Sequence, residues 1–276
     1  MSLARATRSE LTKQFTTSMW WILAVVLVVY IGPTAAGLAA VFALNVDGSL
    51  DQAGGGMPPL PADMLPAMVY SLATAIGYVF PLLIGTLLVT GEFRHLTLTP
   101  TFLAVPRRGI ALGGKLLAGV VMGALYGVIS VVITVGPGAA LLAAFGVDPL
   151  VGEADTWAMI GRMLLAMIIW VIVGIGIGTL VRNQVAAVVG VIAFTQFLEP
   201  ILRMIGGFVD GVSEATQYLP GAASDALVGA SIFTGLTGAT TDVTAMEWWV
   251  GGLVLLGYGV VLVVLGHLVS WRRDVN

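Results

Sequence analysis

Few residues in this chain have types and spacings that could do chemistry. Gly-Ile-Ala-Leu-Gly-Gly-Lys-Leu at 109–116 follows the phosphate loop GxxxxGK[ST] up to its last place, where Leu116 replaces the hydroxyl that would hold magnesium. No strand precedes it and an apolar segment follows directly. It therefore reads as a Gly-rich turn ending in an interfacial lysine, Lys115, and no ATP hydrolysis is expected of this chain. Ser231 and His267 are the candidates for a membrane serine protease. Nucleophile and base must lie within roughly 3 Å, and the charge map below puts these two at opposite ends of the molecule. Gly174, Gly176 and Gly178 lie within an apolar run, so they suit close helix packing, as do Gly123 and Gly127 in the same GxxxG spacing. There is no cysteine, and the two histidines lie in separate segments. Disulfide, thiolate and histidine-cluster metal chemistry are thus not expected.

The elements that carry these residues are apolar. The chain has 276 residues, 58% of them hydrophobic and only 10% charged, with a mean hydropathy of +1.00. Soluble domains average about 45–50% apolar and about 25% charged. So few charges cannot cover that much apolar surface in water. The composition excludes a soluble enzyme, a nucleic-acid-binding domain and a disordered chain. It predicts an all-α integral membrane protein with six spans, at roughly 19–44, 64–90, 116–145, 157–181, 185–209 and 247–270. The first apolar run continues to Leu44, too long for the core of a cleaved signal peptide.

The charges orient these spans. Ten of the 12 Lys and Arg residues fall on one side: Arg5, Arg8 and Lys13 before span 1; Arg94, Arg107, Arg108 and Lys115 between spans 2 and 3; Arg182; and Arg272 and Arg273 in the tail. Only Glu10, Glu92 and Asp274 of the 15 acids join them, so that side carries +7. The other side has Arg162 and Arg203 against twelve acids, a balance of −10. The positive-inside rule then makes the basic side cytoplasmic, with both termini on it, in a multi-pass protein of the inner (cytoplasmic) membrane.

Three features interrupt the pattern. Residues 2–18 read as a short amphipathic helix in the interface, with Leu3, Thr7, Leu11 and Phe15 at helical spacing and Arg5, Arg8 and Lys13 elsewhere. The segment 91–109 is charged at both ends and apolar between, which suits a short helix lying on the membrane or docking on another protein. In span 5 the uninterrupted apolar run stops at residue 198. Either the helix carries Glu199 and Arg203 across the outer interface or the chain turns back at Pro200. Pro81 and Pro137 predict bends in spans 2 and 3.

Taken together, the amphipathic start, the six spans, the long outer segment before span 6 and the loop Gly91-Glu92-Phe93-Arg94-His95…Thr97…Pro106-Arg107-Arg108 resemble the permease subunit of a small bacterial type 2 ATP-binding-cassette (ABC) exporter. The resemblance covers the whole chain as a single permease domain, residues 1–276. It departs at Leu96, where the family motif has glycine after the histidine. It implies an exporter permease that dimerises, as a homodimer or heterodimer, and that binds two copies of a separate cytoplasmic ATPase subunit carrying the ATP and magnesium, with no cofactor of its own. Glu92, Phe93, Arg94, His95, Thr97, Phe102, Arg107 and Arg108 would belong to the coupling loop. Arg5, Arg8, Leu11, Lys13 and Phe15 would belong to the interfacial helix, and residues 199–246 would form short outer helices. Spans 2 and 5 would face the dimer axis, which makes Tyr70, Thr74, Tyr78, Thr195, Gln196 and Phe197 candidates for the substrate path. Glu199 and Arg203, four apart, would pair as an outer salt bridge or gate.

The pathway has few fixed charges. This suggests a hydrophobic or amphipathic substrate such as a drug, lipid or peptide, in a membrane lipid setting and without nucleic acid. Two rivals remain open on sequence: a self-contained secondary transporter, which would want mid-membrane ionisable residues and repeated halves, and a membrane anchor or regulatory subunit that transports nothing.

Overall fold

A computed structural model describes residues 2–46, 61–105, 107–206, 213–232 and 246–271. Asp47, Asp51, Pro106, Asp210, Asp242, Arg272, Arg273 and Asp274 lie outside the described residues. The described residues form helices and no strand. Six stretches are long and apolar enough to cross a membrane: Met19–Val46, Ala62–Arg94, Arg108–Ala144, Ala154–Leu180, Gln184–Gly206 and Trp248–Val269, here spans 1 to 6. A helix satisfies all its own backbone donors and acceptors, which is what hydrocarbon demands. The chain is thus a multi-pass helical membrane protein by length and composition.

Span 2 is the hub. Its most apolar window is 89% buried within the protein, whereas spans 1, 5 and 6 leave most of theirs uncovered. Spans 2, 3 and 6 all pack on span 4, and span 1 packs on span 3. The glycine spacings do the expected work here. A Cβ on Gly123 would sit 2.7 Å from the Cα of Ile168, and Gly178 rests against Thr86 and Val89 of span 2. Small residues let helix backbones approach closely, and packing replaces the hydrophobic effect as the driving force in lipid.

Two of the expected interruptions take definite form. Span 2 breaks between Ala75 and Val79. Pro81 has no N–H for the carbonyl of Gly77, and the Phe80 N–H takes that carbonyl instead at 3.2 Å. Tyr78 stands in the break and stacks on Trp170, ring centroids 4.3 Å apart. Span 5 does not turn back. It widens into a π-helical turn at Phe194–Leu198 and continues as Glu199–Gly206. The wide turn puts Pro200 in the first turn of the next helical piece, where a missing N–H costs little. The whole span runs 23 residues, about 34 Å at helical rise, enough for a hydrocarbon core of about 30 Å. Pro137 is accommodated inside the unbroken helix Arg108–Ala144.

Two expectations are corrected. Residues 109–116 are not a turn: the helix of span 3 begins at Arg108. Lys115, expected at an interface, is fully enclosed by the protein. The N-terminal segment is the helix Leu3–Thr16, as its spacing predicted, but the face it buries carries Ala6 and Glu10 while Leu3 and Phe15 are exposed. Both differences have one cause. The small residues of 109–116 form a shelf against which the N-terminal helix lies, and a Cβ on Gly114 would meet the Cβ of Ala6 at 2.9 Å.

Candidate functional site at the basic end of the bundle

The contact between the N-terminal helix and span 3 brings four charges together. Glu10 and Lys13 sit three apart on the N-terminal helix and so share one face. Glu92 comes from the last turns of span 2, and Lys115 from the second turn of span 3. The Lys115 Nζ lies 2.8 Å from the Glu10 Oε2 and 2.9 Å from the Glu92 Oε1. The Lys13 Nζ lies 2.8 Å from the Glu10 Oε1 and 2.8 Å from the Glu92 Oε1. The result is a closed ring of alternating sign, two cations and two anions, joining three separate elements.

Burial makes this ring consequential. Lys115 is wholly enclosed, Glu10 and Glu92 nearly so, and Lys13 alone is substantially open to solvent. Burial by itself pushes the Glu10 carboxyl up, but Lys115 and Lys13 outweigh it and hold the group below its ordinary value. Burial likewise pulls the Lys13 ammonium down, and its bonds to Glu10 and Glu92 outweigh that and raise it. Both groups are therefore charged at neutral pH. The Glu92 Oε2 is buried with no hydrogen-bond partner among the described residues, so the ring uses only one of that residue's oxygens.

Next to the ring, span 2 ends in a defined cap. The Thr97 N–H donates to the Glu92 carbonyl at 3.0 Å and the Leu96 N–H to the Phe93 carbonyl at 3.4 Å, with Leu96 at φ +55°. This is the Schellman pattern, whose left-handed position is normally glycine. Leu96 is the place where the sequence departs from glycine in the exporter motif. It holds a left-handed conformation with its side chain 80% exposed. The chain then forms the short helix Leu98–Ala104. Leu98 and Val105 anchor it inward, Leu103 points out, and the Arg108 guanidinium lies 5.1 Å from the centre of the Phe102 ring. Phe93 and Arg94 line a surface groove of about 480 Å³ with residues 182–185. The tight turn at 182–184 is shaped by Asn183, whose side chain accepts the N–H groups of Val185 and Ala186 and so starts span 5.

The sequence-derived coupling set thus divides. Arg94, His95, Thr97 and Arg107 are exposed, Phe93, Phe102 and Arg108 are half-buried, and Glu92 is turned into the ring. In the N-terminal helix Arg5, Arg8 and Phe15 are exposed, Leu11 and Lys13 are half-buried, and the Phe15 ring meets Trp20 edge-on. Glu10 and Lys115 were missed as site residues. The only available signals were a lone acid in a basic segment and a lysine within an apolar flank.

At the acidic end the expected Glu199–Arg203 pairing takes another form. Arg203 pairs with Asp225 at 2.6 Å, and Asp225 also accepts the Ser231 hydroxyl at 2.7 Å. Glu199 accepts the Gly221 N–H at the start of the outer helix Pro220–Val228. The helical spacing that brings Glu199 and Arg203 onto one face is real, but a third acid on another element competes for the arginine. Of the expected path residues, Tyr78, Thr195 and Gln196 line a cleft of about 260 Å³ together with Glu199 and Arg203. Tyr70 and Thr74 are buried and satisfied by the carbonyls of Pro149 and Ser71, and Phe197 faces outward. Ser231 is held by Asp225 of the outer helix Pro220–Val228, whereas His267 lies in the π-helical turn at the far end of span 6.

A comparison with known protein families and a comparison with curated proteins each return no match for this chain.

Proposed function

We propose that this chain is the transmembrane subunit of an ATP-driven ABC exporter of the type 2 kind, powered by a separate cytoplasmic ATPase. The basic end faces the cytoplasm, so both termini lie there, in the cytoplasmic membrane. Two copies, or this chain and a related one, form the translocating unit, and the uncovered faces of spans 1, 5 and 6 offer surface for the second copy and for lipid. The substrate is hydrophobic or amphipathic.

One observation carries the reading: the ion ring of Glu10, Lys13, Glu92 and Lys115. A force applied to the short helix Leu98–Ala104 reaches the end of span 2 through the cap at Leu96 and the start of span 3 through Arg108. The ring fastens both spans to the N-terminal helix, so the three elements move as one body. That is what a docking ATPase needs if its closure is to rock half of a transporter instead of bending one loop.

The test uses the chain purified with its ATPase in nanodiscs. Leu103 is 78% exposed on the short helix. Leu103→Asp is expected to abolish stimulation of ATP hydrolysis while leaving the thermal transition unchanged. Full stimulation by that variant would overturn the coupling role of the helix.

A further inference from the structure

The acidic end buries a carboxyl group beside an arginine that a second acid also claims. Glu199 sits in the second half of span 5 with only 1% of its surface exposed. One carboxylate oxygen accepts the Gly221 N–H, and the absence of a side chain at Gly221 is what lets the carboxylate in, since a Cβ there would strike it. The other oxygen, Oε2, is buried and has no hydrogen-bond partner among the described residues. The adjacent cation, Arg203, is matched by Asp225, which also holds Ser231. Among the described residues, Glu199 and Asp225 share this one arginine, so a cation entering beside Glu199 would meet a carboxyl group that is only partly matched.

Glu199 lines the 260 Å³ cleft together with Arg203, whose guanidinium is drawn to Asp225, and the aromatic walls suit a cation with an apolar body. Tyr30 stands on one side, half-exposed. Tyr78 stands on another, fixed in place by its stack on Trp170 and by its hydroxyl, which donates to the Thr195 carbonyl. Aromatic faces attract ammonium groups, more strongly when the site is desolvated. Thr195 spends its hydroxyl on the Val191 carbonyl, which leaves the Gln196 amide as a neutral polar wall. The cleft lies below the roughly 300–1,000 Å³ of drug-sized sites, so it suits a one-ring or short-chain ligand.

We infer that the Glu199 cleft is a binding site for a small organic ammonium cation, held by the carboxylate on one side and the rings of Tyr30 and Tyr78 on the others. The inference rests on the exporter reading only for its meaning, in that it names the substrate class. The site itself stands or falls on this chain alone.

The experiment measures binding of benzyltrimethylammonium, and of its uncharged isostere neopentylbenzene, to the purified full-length chain in nanodiscs, with empty nanodiscs as background. The cation is expected to bind saturably and at least tenfold tighter than the isostere. Glu199→Gln, which keeps an acceptor for the Gly221 N–H, is expected to remove that preference. Tyr30→Leu keeps the carboxylate and lies on an open helix face, so it checks the site independently of any folding defect at Glu199; it is expected to weaken the cation several-fold. Equal binding of cation and isostere, or an undiminished preference in a folded Glu199→Gln variant, would overturn the inference. If the cation binds but no ATPase is stimulated, the exporter reading fails and the site survives. If the ATPase is stimulated but the cation does not bind, only the site fails.

Discussion

Lys115→Met is the sharpest perturbation of the ion ring. Methionine keeps most of the length of the buried stem and removes the ammonium. In the intact ring Lys115 answers Glu10 at 2.8 Å and Glu92 at 2.9 Å, with no exposure of its side chain. The variant leaves two nearly buried carboxylates facing one half-exposed lysine. Breaking a buried pair by removing one partner costs about 3–5 kcal/mol, because the remaining charge stays uncompensated. At about 1.4 kcal/mol per factor of ten, the equilibrium for lifting the N-terminal helix off span 3 shifts by at least roughly 10². The freed helix has 14 residues, a length at which isolated helices are marginal in water. Its amides should therefore exchange. Hydrogen exchange followed by mass spectrometry on peptides covering Leu3–Thr16 should show protection falling about 10²-fold or more in Lys115→Met. In Lys13→Met, where solvent already screens the charge, the fall should be at most about tenfold. Adding Glu10→Gln to Lys115→Met leaves Lys13 with Glu92, so the pair of changes should cost less than their sum by about 0.5–3 kcal/mol. Protection of Leu3–Thr16 unchanged within twofold in Lys115→Met would refute the claim that the ring holds the helix down.

Further outcomes follow from the same geometry. Glu10 titrates below its ordinary 4.5 in the folded protein, so its contribution is complete above that pH and is lost as pH falls through the lower folded value; Lys13 titrates above its ordinary 10.5, so its contribution is complete below that and is lost as pH rises through the higher one. Protection of the N-terminal helix, corrected for intrinsic exchange, should therefore stay flat from about pH 5 to about pH 10, and a drop centred near neutrality would contradict the assignment. Leu96→Gly should raise the melting temperature. A left-handed non-glycine residue costs about 1–2 kcal/mol, of which glycine's greater unfolded-state entropy returns about 0.5–1; a gain of up to a few degrees is expected, with none for Leu96→Ala, and a lower transition for Leu96→Gly would refute the strain argument. Gly123→Leu should destabilise by about 1–3 kcal/mol because its side chain would meet the backbone of Ile168. Gly136→Leu, on the same helix but with open space where its Cβ would stand, should leave the melting curve in place.

The spans were legible because hydrocarbon imposes one rule over twenty residues at a time, and a short apolar window satisfies it whatever surrounds it. The GxxxG pairs were legible for a similar reason, since only small residues admit another helix so closely. The ring was not. Its members come from residues 10, 13, 92 and 115, and nothing in the local pattern around Lys115 distinguishes a buried lysine from an interfacial one. The difference lies in Ala6 and Gly114, which allow the N-terminal helix to lie polar face down on span 3. Hydrophobic spacing pointed to Leu3 and Phe15 as the buried side of that helix, because it assumed lipid as the partner where the partner is protein. Glu199 shows the same limit. Its spacing to Arg203 is helical, but the partner each takes sits on the outer helix, more than 20 positions away.

The measurement that bears most directly on the exporter reading is site-specific photo-crosslinking from position 103 in native membranes. A photoreactive residue at Leu103 should capture a nucleotide-binding chain with a complete phosphate loop. The same residue at Val261, on the uncovered face of span 6, should not. Failure to capture such a chain from position 103, or equal capture from both positions, would contradict the claim that an ATPase drives this protein through the helix Leu98–Ala104.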